Sequence, residues 1–456
     1  MSLALQTDLY QLTMGAALWK AGLDHEVTFE LFTRRLHPRR GMWIAAGLEQ
    51  ALDYLRGLRF TREQLDYLRG LPVFAGTDPG FFAALEALRF EGEVWAVAEG
   101  TPVFPYEPLL RLRAPALVAQ LVETRLLAML NFQTLIASKA ARVAEACGEK
   151  AFLEFGSRRA HGPEAGQLAA RAAYLAGAAG TSNVEAGMRF GVPVAGTFAH
   201  AWVMQFADED ESFRRYVDAF PEHTTLLVDT YDTVDAVRRI VEQELPCRAV
   251  RLDSGDLGAL AKQVRAVLDA GGRQEVRIVA SSDLDEDRIA ELEAEGAPID
   301  VFGVGTALAT SKDVPALGGV YKLVAVHPCE GETWHPVKLA KQKGSWPGAK
   351  QVYRHRDGEG YAGDRIALAH EPAPSEGQPL LEPVLRGGEL LRPHPALAEL
   401  RERSLAARAL LPAGVRKLSE PTPYPVTRSP ALIALAEAAR AEARARVGAT
   451  PEEANQ

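Results

Sequence analysis

The chain has 456 residues, with 51 Lys and Arg against 60 Asp and Glu and a formal net charge of −9. This acidic balance argues against broad electrostatic binding of nucleic acid or of an anionic membrane surface. Hydrophobic residues make up 47% of the chain, and no run of about 18 apolar residues could span a bilayer. We expect two or three domains, although one α/β barrel can take up about 250 residues.

The cysteines and the first residues indicate a compartment. Cys147, Cys247 and Cys329 lie far apart and have no zinc-ligand spacing, which is typical of free thiols in a reducing environment. The N-terminus has no basic segment followed by an apolar core, so we expect no signal peptide. These features predict a cytoplasmic protein without a protein-held metal.

Between about residues 150 and 325, short apolar runs alternate with amphipathic segments. The predicted strands cover 151–156, 192–197, 225–229, 249–253, 276–281 and 299–305. We predict helices between them, for example at 163–178 and 208–219. This alternation is typical of parallel strands covered on both faces. Six units in a row favour a parallel α/β barrel, with an open doubly wound sheet as the alternative.

Both ends of the chain predict a smaller β-rich domain. Strand-like segments lie at 26–33, 91–98, 108–113 and within the glycine-containing stretch 350–392. Residues 115–147 predict one long, largely buried helix. Ser429 and Pro430 are typical of an N-cap and a first helical residue, and predict a helix to about Val447.

We therefore divide the chain into four parts. They are the N-terminal part of the β-rich domain (1–114), the barrel with the active site (115–330), the C-terminal part of the β-rich domain (331–400) and a C-terminal helical segment (401–456).

Each predicted barrel strand ends in a turn rich in glycine and polar residues. These turns lie at 156–159, 196–200, 229–232, 253–256, 281–283 and 303–306. In parallel α/β folds the C-terminal ends of the strands meet at one face, where the ligand binds. Ser, Thr and Asp after a strand also cap the following helix, which is the alternative for any single turn. Six such turns in succession predict one ligand site.

Three arginines in this region suit anion binding. Arg158 and Arg159 follow the first strand, where the planar guanidinium can bind phosphate or carboxylate; the alternative is a surface salt-bridge pair. Arg251 interrupts an apolar strand, so it needs an anionic partner. Asp253 points to the same face of that strand, which leaves a structural pair or a ligand-facing arginine.

Two further features suit phosphate chemistry. Ser281 and the Gly-x-Gly turn that ends in Gly305 and Thr306 follow late strands, where backbone N–H groups commonly bind phosphate. His200 follows the Gly196-Thr197 turn, and an imidazole can act as a nucleophile or a base near neutral pH. The alternative for His200 alone is a structural histidine.

Taken together, these segments resemble the nicotinate phosphoribosyltransferases. The matching strings are TDLYQLTM at 7–14, EFGSRR at 154–159, GTSN at 180–183, GTFAH at 196–200, RLDSGD at 251–256, GVGT at 303–306 and PGAKQVYR at 347–354. The resemblance implies an irregular α/β barrel of the type II phosphoribosyltransferase kind with a β-rich domain. It also implies conversion of nicotinate and phosphoribosyl pyrophosphate to nicotinate mononucleotide and pyrophosphate, coupled to ATP hydrolysis, in NAD biosynthesis.

The resemblance also implies roles for residues around the pyridine ring and the sugar. Tyr10, from a neighbouring subunit, and Phe155 match aromatic residues that stack on the pyridine, so a homodimer with a shared active site is expected. His200 matches the histidine that ATP phosphorylates. Arg158, Thr197 and Arg251 match residues around the carboxylate and phosphate groups, and Gly305 and Thr306 match the phosphate loop. Asp229 and Asp253 match acidic residues that hold the ribose hydroxyls or Mg²⁺. We expect Asp253 to be catalytic together with His200, and Ser281 to bind substrate.

Ser182 separates this family from its nearest relatives. Nicotinamide-specific relatives carry an aspartate at the matching place, which would repel the carboxylate of nicotinate, whereas a serine hydroxyl can donate to it. The alternatives are therefore a nicotinamide or quinolinate enzyme, and a catalytically inactive barrel that binds a nucleotide as a sensor. The resemblance assigns no role to Lys341 or Lys343.

Overall fold

The structure, a computed structural model, describes residues 2–339, 344–358 and 360–446. Lys341, Lys343 and the expected helix end at Val447 lie outside this part of the chain. No helix within it is both long enough and apolar enough to cross a membrane.

The helices are α1 (Leu9–Lys20), α2 (Leu48–Arg56), α3 (Arg62–Arg69), α4 (Pro79–Ala87), α5 (Ala116–Leu121), α6 (Glu123–Cys147), α7 (Pro163–Leu175), α8 (Val184–Phe190), α9 (His200–Val203), α10 (Glu209–Ala219), α11 (Thr233–Glu242), α12 (Leu257–Ala270), α13 (Glu286–Ala294), α14 (Thr306–Ala309), α15 (Leu397–Ala409), α16 (Ala413–Arg416) and α17 (Pro430–Arg446). Short 3₁₀ helices cover Pro72–Phe74 and Ser157–Arg159.

The strands are β1 (Glu26–Thr33), β2 (Trp43–Ile44), β3 (Glu93–Val97), β4 (Pro102–Val103), β5 (Pro108–Pro115), β6 (Ala151–Glu154), β7 (Gly180–Thr181), β8 (Thr225–Leu227), β9 (Ala249–Leu252), β10 (Arg277–Ala280), β11 (Val301–Val304), β12 (Gly319–His327), β13 (Lys350–Asp357), β14 (Gly360–Leu368), β15 (Gln378–Pro379), β16 (Leu381–Arg386), β17 (Glu389–Leu390) and β18 (Val426–Arg428).

Six parallel strands form a curled sheet in the order β7-β6-β11-β10-β9-β8. β6 and β11, the first and last of these strands in the chain, pair in parallel from Val301 opposite Ala151 to Val304 opposite Glu154. An open doubly wound sheet keeps such strands apart, so this pairing confirms the barrel. The curled sheet has β7 and β8 at its two ends, which leaves the barrel irregular.

The expected strand at 192–197 is wrong in extent. Only Val194 bridges to the sheet, in parallel with Thr181 at the outer side of β7. Pro193 has no N–H to donate to a ladder; its carbonyl accepts from the N–H of Thr181 at 2.9 Å, and the N–H of Ala195 donates to the carbonyl of Thr181 at 2.9 Å. β7 itself was not predicted, because two residues carry no apolar period.

One face of the parallel sheet packs into an apolar core, and Arg251 lies on the opposite face. Phe152, Leu226, Val250, Ile278 and Phe302 have at most 1% of their surface exposed. Each such side chain stabilises the fold by roughly 1.5–3 kcal/mol relative to an exposed position. These buried side chains fix the positions of the strands, and therefore the positions of the polar turns at their ends.

The β-rich part draws strands from both ends of the chain, as expected. A six-stranded antiparallel sheet has the order β12-β1-β5-β3-β16-β17, and a second sheet has the order β15-β13-β14-β18. β12 pairs with β1 along its length, although it lies inside the 115–330 segment that the sequence assigned to the barrel. The domain bounds themselves stay a prediction.

Two helical expectations have different outcomes. Ser429 caps α17 with its Oγ accepting from the N–H of Leu432 at 3.1 Å, so that prediction is confirmed. The prediction of a single helix at 115–147 is wrong, because the helix is interrupted at Val122, between α5 and α6. There the hydroxyl of Thr7 donates to the carbonyl of Leu121 at 3.0 Å, a contact from a distant segment that local periodicity does not contain.

Candidate active site

The polar turns hold two kinds of residue. Asp232 and Asp256, late in their turns, cap α11 and α12, and Asn183 and Asp285, in or just after strand ends, cap α8 and α13. The first polar residues, Asp229, Asp253 and Ser281, instead bond one another and their neighbours across strands. Capping and site formation therefore occur side by side in the same turns.

Arg251 is the centre of this network. Its Nη2 donates to Asp253 at 2.8 Å, its Nη1 to the hydroxyl of Thr197 at 2.8 Å, and its Nε to the hydroxyl of Ser281 at 2.8 Å. Ser281 also donates to Asp253. The guanidinium is thus held in one orientation by three turns, as is needed for planar recognition of an anion.

His200 begins α9 and reaches across the open side of the barrel. Its Nε2 lies 3.1 Å from Oδ1 of Asp229, at the end of β8. Oδ2 of Asp229 accepts from the N–H of Asp253 at 3.0 Å and from the hydroxyl of Ser254 at 2.5 Å. Asp229 therefore fixes the imidazole and the 253–254 turn together. Sequence reasoning did not single out Ser254.

Phe155 forms an aromatic wall beside Arg251. The guanidinium carbon lies 5.8 Å from the centre of the ring. A Cβ added to Gly303 would lie 2.6 Å from Cδ2 of the ring, so only glycine allows this close packing. The arrangement offers a flat apolar face next to a fixed cation.

The turn at 303–306 lies against the turn that carries Phe155. The N–H of Phe155 donates to the carbonyl of Val304 at 2.9 Å. A Cβ on Gly156 would lie 2.8 Å from the carbonyl oxygen of Gly305. Thr306 begins α14 with Gly305 at its N-cap position.

Glu154, which sequence reasoning left without a role, lies beneath these turns. It is fully buried and accepts from the N–H of Gly156 and, at 2.6 Å, from the hydroxyl of Thr181. Burial raises the pKa of the Glu154 carboxyl, and the two hydrogen bonds partly oppose this. The signal in the sequence is an acid that ends an apolar strand.

Three candidates join the site less directly. Ser182 is exposed, and its N–H donates to the carbonyl of Glu154 at 3.0 Å. Arg158 is exposed in the same turn as Phe155; neither it nor Arg159 has an ion pair within the described residues, so no surface salt-bridge pair is present there. Tyr10 lies on α1, where partial burial and the charges of Glu123 and Asp8 raise its pKa.

Among the described residues, no group of three or more His, Cys, Asp or Glu side chains could hold a metal ion. Asp229 and Asp253 are the carboxylates at the strand ends. Such a pair suits a Mg²⁺ ion that arrives with phosphate ligands and keeps several waters.

Solved structures define the class of this protein. The crystal structure of human nicotinic acid phosphoribosyltransferase has a TM-score of 0.83 and 32% identity, covering 95% of this chain and 99% of that chain. That of nicotinate-nucleotide pyrophosphorylase from Pyrococcus furiosus has a TM-score of 0.72 and 27% identity, covering 89% and 94%. The irregular barrel with its ring of polar turns is a phosphoribosyltransferase fold.

Sequence comparisons narrow the class to one family. Family models for the nicotinate phosphoribosyltransferase N-terminal domain, the nicotinate phosphoribosyltransferase family and its C-terminal domain match residues 5–131, 151–327 and 375–436. Nicotinate phosphoribosyltransferase pncB2 of Mycobacterium tuberculosis is 43% identical over 438 residues, covering 94% of this chain and 92% of the relative. The Bacillus subtilis nicotinate phosphoribosyltransferase is 40% identical over 463 residues, covering 94% and 93%. The chain belongs to the nicotinate phosphoribosyltransferase family.

Proposed function

We propose that this protein transfers the phosphoribosyl group of phosphoribosyl pyrophosphate to nicotinate. The ring nitrogen forms a bond to C1 of the ribose, the bond from C1 to the pyrophosphate oxygen breaks, and nicotinate mononucleotide and pyrophosphate result. The observation that carries the proposal is the fixed guanidinium of Arg251 beside the ring of Phe155. A flat ring that bears a carboxylate matches this pair of groups.

The remaining turns suit the sugar and its phosphates. Asp229 and Asp253 would accept from ribose hydroxyls or contact the Mg²⁺ that phosphoribosyl pyrophosphate brings, which supplies charge neutralisation for the departing pyrophosphate. The 305–306 turn offers backbone N–H groups to phosphate oxygens, and Ser281 holds Arg251 and Asp253 beside it. Exposed Arg158, without an ion pair among the described residues, is available for a substrate anion.

ATP coupling through His200 is a further part of the proposal. When Nε2–H donates to Asp229, the lone pair lies on Nδ1. Nδ1 would attack the γ-phosphorus, the bond to ADP would break, and the imidazole proton would stay on Nε2 beside the carboxylate. The added negative charge next to the pyrophosphate site would then alter the affinities of substrates and products.

We also propose a homodimer in which Tyr10 completes the partner's site. Val184 and Met188 on α8, directly after Ser182, are 71% and 76% exposed. Tyr10, 48% exposed, and Met14 lie one turn apart on α1. Docking of α1 from one copy on α8 of the other would cover both apolar faces and bring a second aromatic ring to the pyridine. The free thiols of Cys147, Cys247 and Cys329 support a cytoplasmic location.

An assay with purified protein tests the function. Protein, phosphoribosyl pyrophosphate, Mg²⁺ and ATP are combined with nicotinate, nicotinamide or quinolinate, and the products are separated chromatographically. We expect nicotinate mononucleotide as the main product. Preference for another pyridine would favour the related enzymes, and binding without turnover would favour the sensor.

A variant at Ser182 tests substrate specificity in the same assay. Ser182→Asp places a carboxylate next to that of nicotinate, and like charges in contact cost several kcal/mol, so kcat/KM for nicotinate should fall by at least about tenfold. Ser375→Asp, at an exposed position between β14 and β15, is the matched control and should leave kcat/KM unchanged. An unchanged preference in Ser182→Asp would contradict the assignment.

A further inference from the structure

The buried acids of this protein divide into two groups. Within the described residues, four fully or almost fully buried acids have a cationic side chain within ion-pair distance: Glu30 with Lys350, Glu99 with Arg171, Glu286 with Lys139 and Arg142, and Asp364 with Arg354. Glu154 and Glu107, also 0% exposed, have no ion pair in the same part of the chain. Glu107 still lies close enough to Arg354 to feel its charge, whereas the influences on Glu154 are burial and two hydrogen bonds from uncharged donors. A buried carboxylate without a cation is costly, so its retention beside a ligand site needs a reason.

The contacts of Glu154 join two turns. One carboxylate oxygen accepts from the N–H of Gly156, in the turn that carries Phe155, and the other accepts from the hydroxyl of Thr181. The backbone carbonyl of Glu154 accepts from the N–H of Ser182 at 3.0 Å. Thr181 in turn accepts at 3.0 Å from the N–H of Asn183, which caps α8.

We propose that Glu154 is a positioning residue for the pyridine subsite. Its carboxylate holds the Phe155 turn and the Ser182 turn at a fixed separation. The ring of Phe155 and the hydroxyl of Ser182 can then contact the same nicotinate molecule. The inference rests on the proposed function, since it concerns the nicotinate subsite. Glu154 itself touches no substrate and acts through its neighbours.

The geometry requires two acceptors at this point. Both neighbours, an N–H and an O–H, donate to Glu154, so two acceptor oxygens are needed. Glutamine has nearly the same shape but one acceptor and one N–H₂ donor. The Thr181 hydroxyl would then have to accept from the N–H₂ group, which leaves its own buried proton without the carboxylate acceptor. Leaving a buried hydrogen bond unmade costs about 1–3 kcal/mol, enough to shift the turns.

Steady-state kinetics on two variants test the proposal. Glu154→Gln changes the hydrogen bond between Glu154 and Thr181, and Thr181→Val removes it, while both nearly keep shape. Thr181→Val also removes the acceptor of the Asn183 N–H. We expect KM for nicotinate to rise about tenfold, in line with one lost buried hydrogen bond. We expect kcat and KM for phosphoribosyl pyrophosphate to change by less than about twofold, because that substrate binds turns on other strands.

Thr134→Val is the matched control. Thr134 is also fully buried, and its hydroxyl both donates to and accepts from Ala46, away from these turns. It should lose thermal stability without a change in KM for nicotinate. If Glu154→Gln does not fold, Thr181→Val alone decides.

Two results would overturn the proposal. One is a lower melting temperature in the Glu154 and Thr181 variants with unchanged KM for nicotinate. The other is a fall in kcat together with a rise in KM for both nicotinate and phosphoribosyl pyrophosphate, which would indicate that the whole site is disrupted. Failure of the wild type to turn over would defeat the proposed function instead. Nicotinate dissociation constants from calorimetry would then test Glu154, and no binding to wild type would overturn both.

Discussion

At the scale of single residues, the site shows which contacts lie within reach of the sequence. Arg251 on an apolar strand predicts an acidic partner, and Asp253, two residues later, is that partner at 2.8 Å. Thr197 and Ser281, which bond the same guanidinium, come from turns far away in the chain. Spacing predicts the first contact because strand side chains alternate. The other two contacts depend on barrel closure.

His200 provides the prediction at this scale. With [γ-³²P]ATP, the wild type should carry an acid-labile, alkali-stable label, because a phosphorylated imidazole has that chemistry. His200→Ala should lose the label yet retain slower, ATP-independent transfer. Labelling followed by acid and alkali treatment checks this.

His161→Ala is the matched control, since His161 is exposed in a neighbouring turn and should keep the label. A label that persists in His200→Ala would assign the phosphate to another residue.

At the scale of elements, α1 and α8 carry apolar residues on their exposed sides. α1 packs on α5 and α4 and leaves Tyr10 outside, while α8 leaves Val184 and Met188 outside. The proposed interface between two copies next to Ser182 would give both faces a partner.

Val184→Glu tests this interface. A buried carboxylate without a partner opposes association, so we expect the dissociation constant of the dimer to rise by at least about tenfold. Nicotinate turnover should fall at low protein concentration, because Tyr10 would leave the neighbouring site. Analytical ultracentrifugation and activity against protein concentration measure both effects.

Val73→Glu is the control, since Val73 is 53% exposed on a separate 3₁₀ helix, and it should behave like the wild type. A wild-type monomer, or a Val184→Glu protein of unchanged size and activity, would rule out the shared site.

At the scale of the whole molecule, one buried ion cluster connects the N-terminal segment to the barrel. Asp313, after α14, accepts from Arg40 at 2.8 Å and from Nζ of Lys139 at 2.8 Å. Lys139 also pairs with Glu286 at the start of α13, and Arg142 donates to the same carboxylate at 2.8 Å. Burial alone would raise the pKa of Asp313, but hydrogen bonds and charges from Arg40 and Lys139 hold it well below its usual range.

Asp313→Asn should therefore destabilise the protein in a pH-dependent way. A lowered pKa in the folded state means that the ionised carboxylate stabilises the fold above the unfolded pKa of about 3.9. We expect the free energy of unfolding to fall by about 2 kcal/mol at pH 7. The difference from wild type should hold between about pH 8 and pH 5. It should then shrink below about pH 4, because Asp313 of the unfolded wild type takes up a proton there while folded Asp313 stays ionised, which favours unfolding.

Denaturant unfolding across this pH range measures the difference. Asp66→Asn, in an exposed pair with Arg69, is the control and should change stability by less than about 1 kcal/mol. A difference that grows as the pH falls would contradict the role of Asp313.

The sequence by itself determined the positions of most barrel strands, the turns that follow them and the start of α17 at Ser429 and Pro430. These features depend on residues within a few positions of one another, so apolar periodicity, N-cap chemistry and turn composition contain them. Motif order was also enough to predict the family.

Only the tertiary structure decided the features that join distant segments. These are the pairing of β6 with β11, the break at Val122 beside Thr7, the place of β12 next to β1 and the burial of Glu154 under two turns. The physical reason is that each depends on hydrogen bonds and packing between residues far apart in the chain. The resemblance predicts which residues form the active site, whereas the fold shows that the buried carboxylate of Glu154 accepts hydrogen bonds from two of the turns.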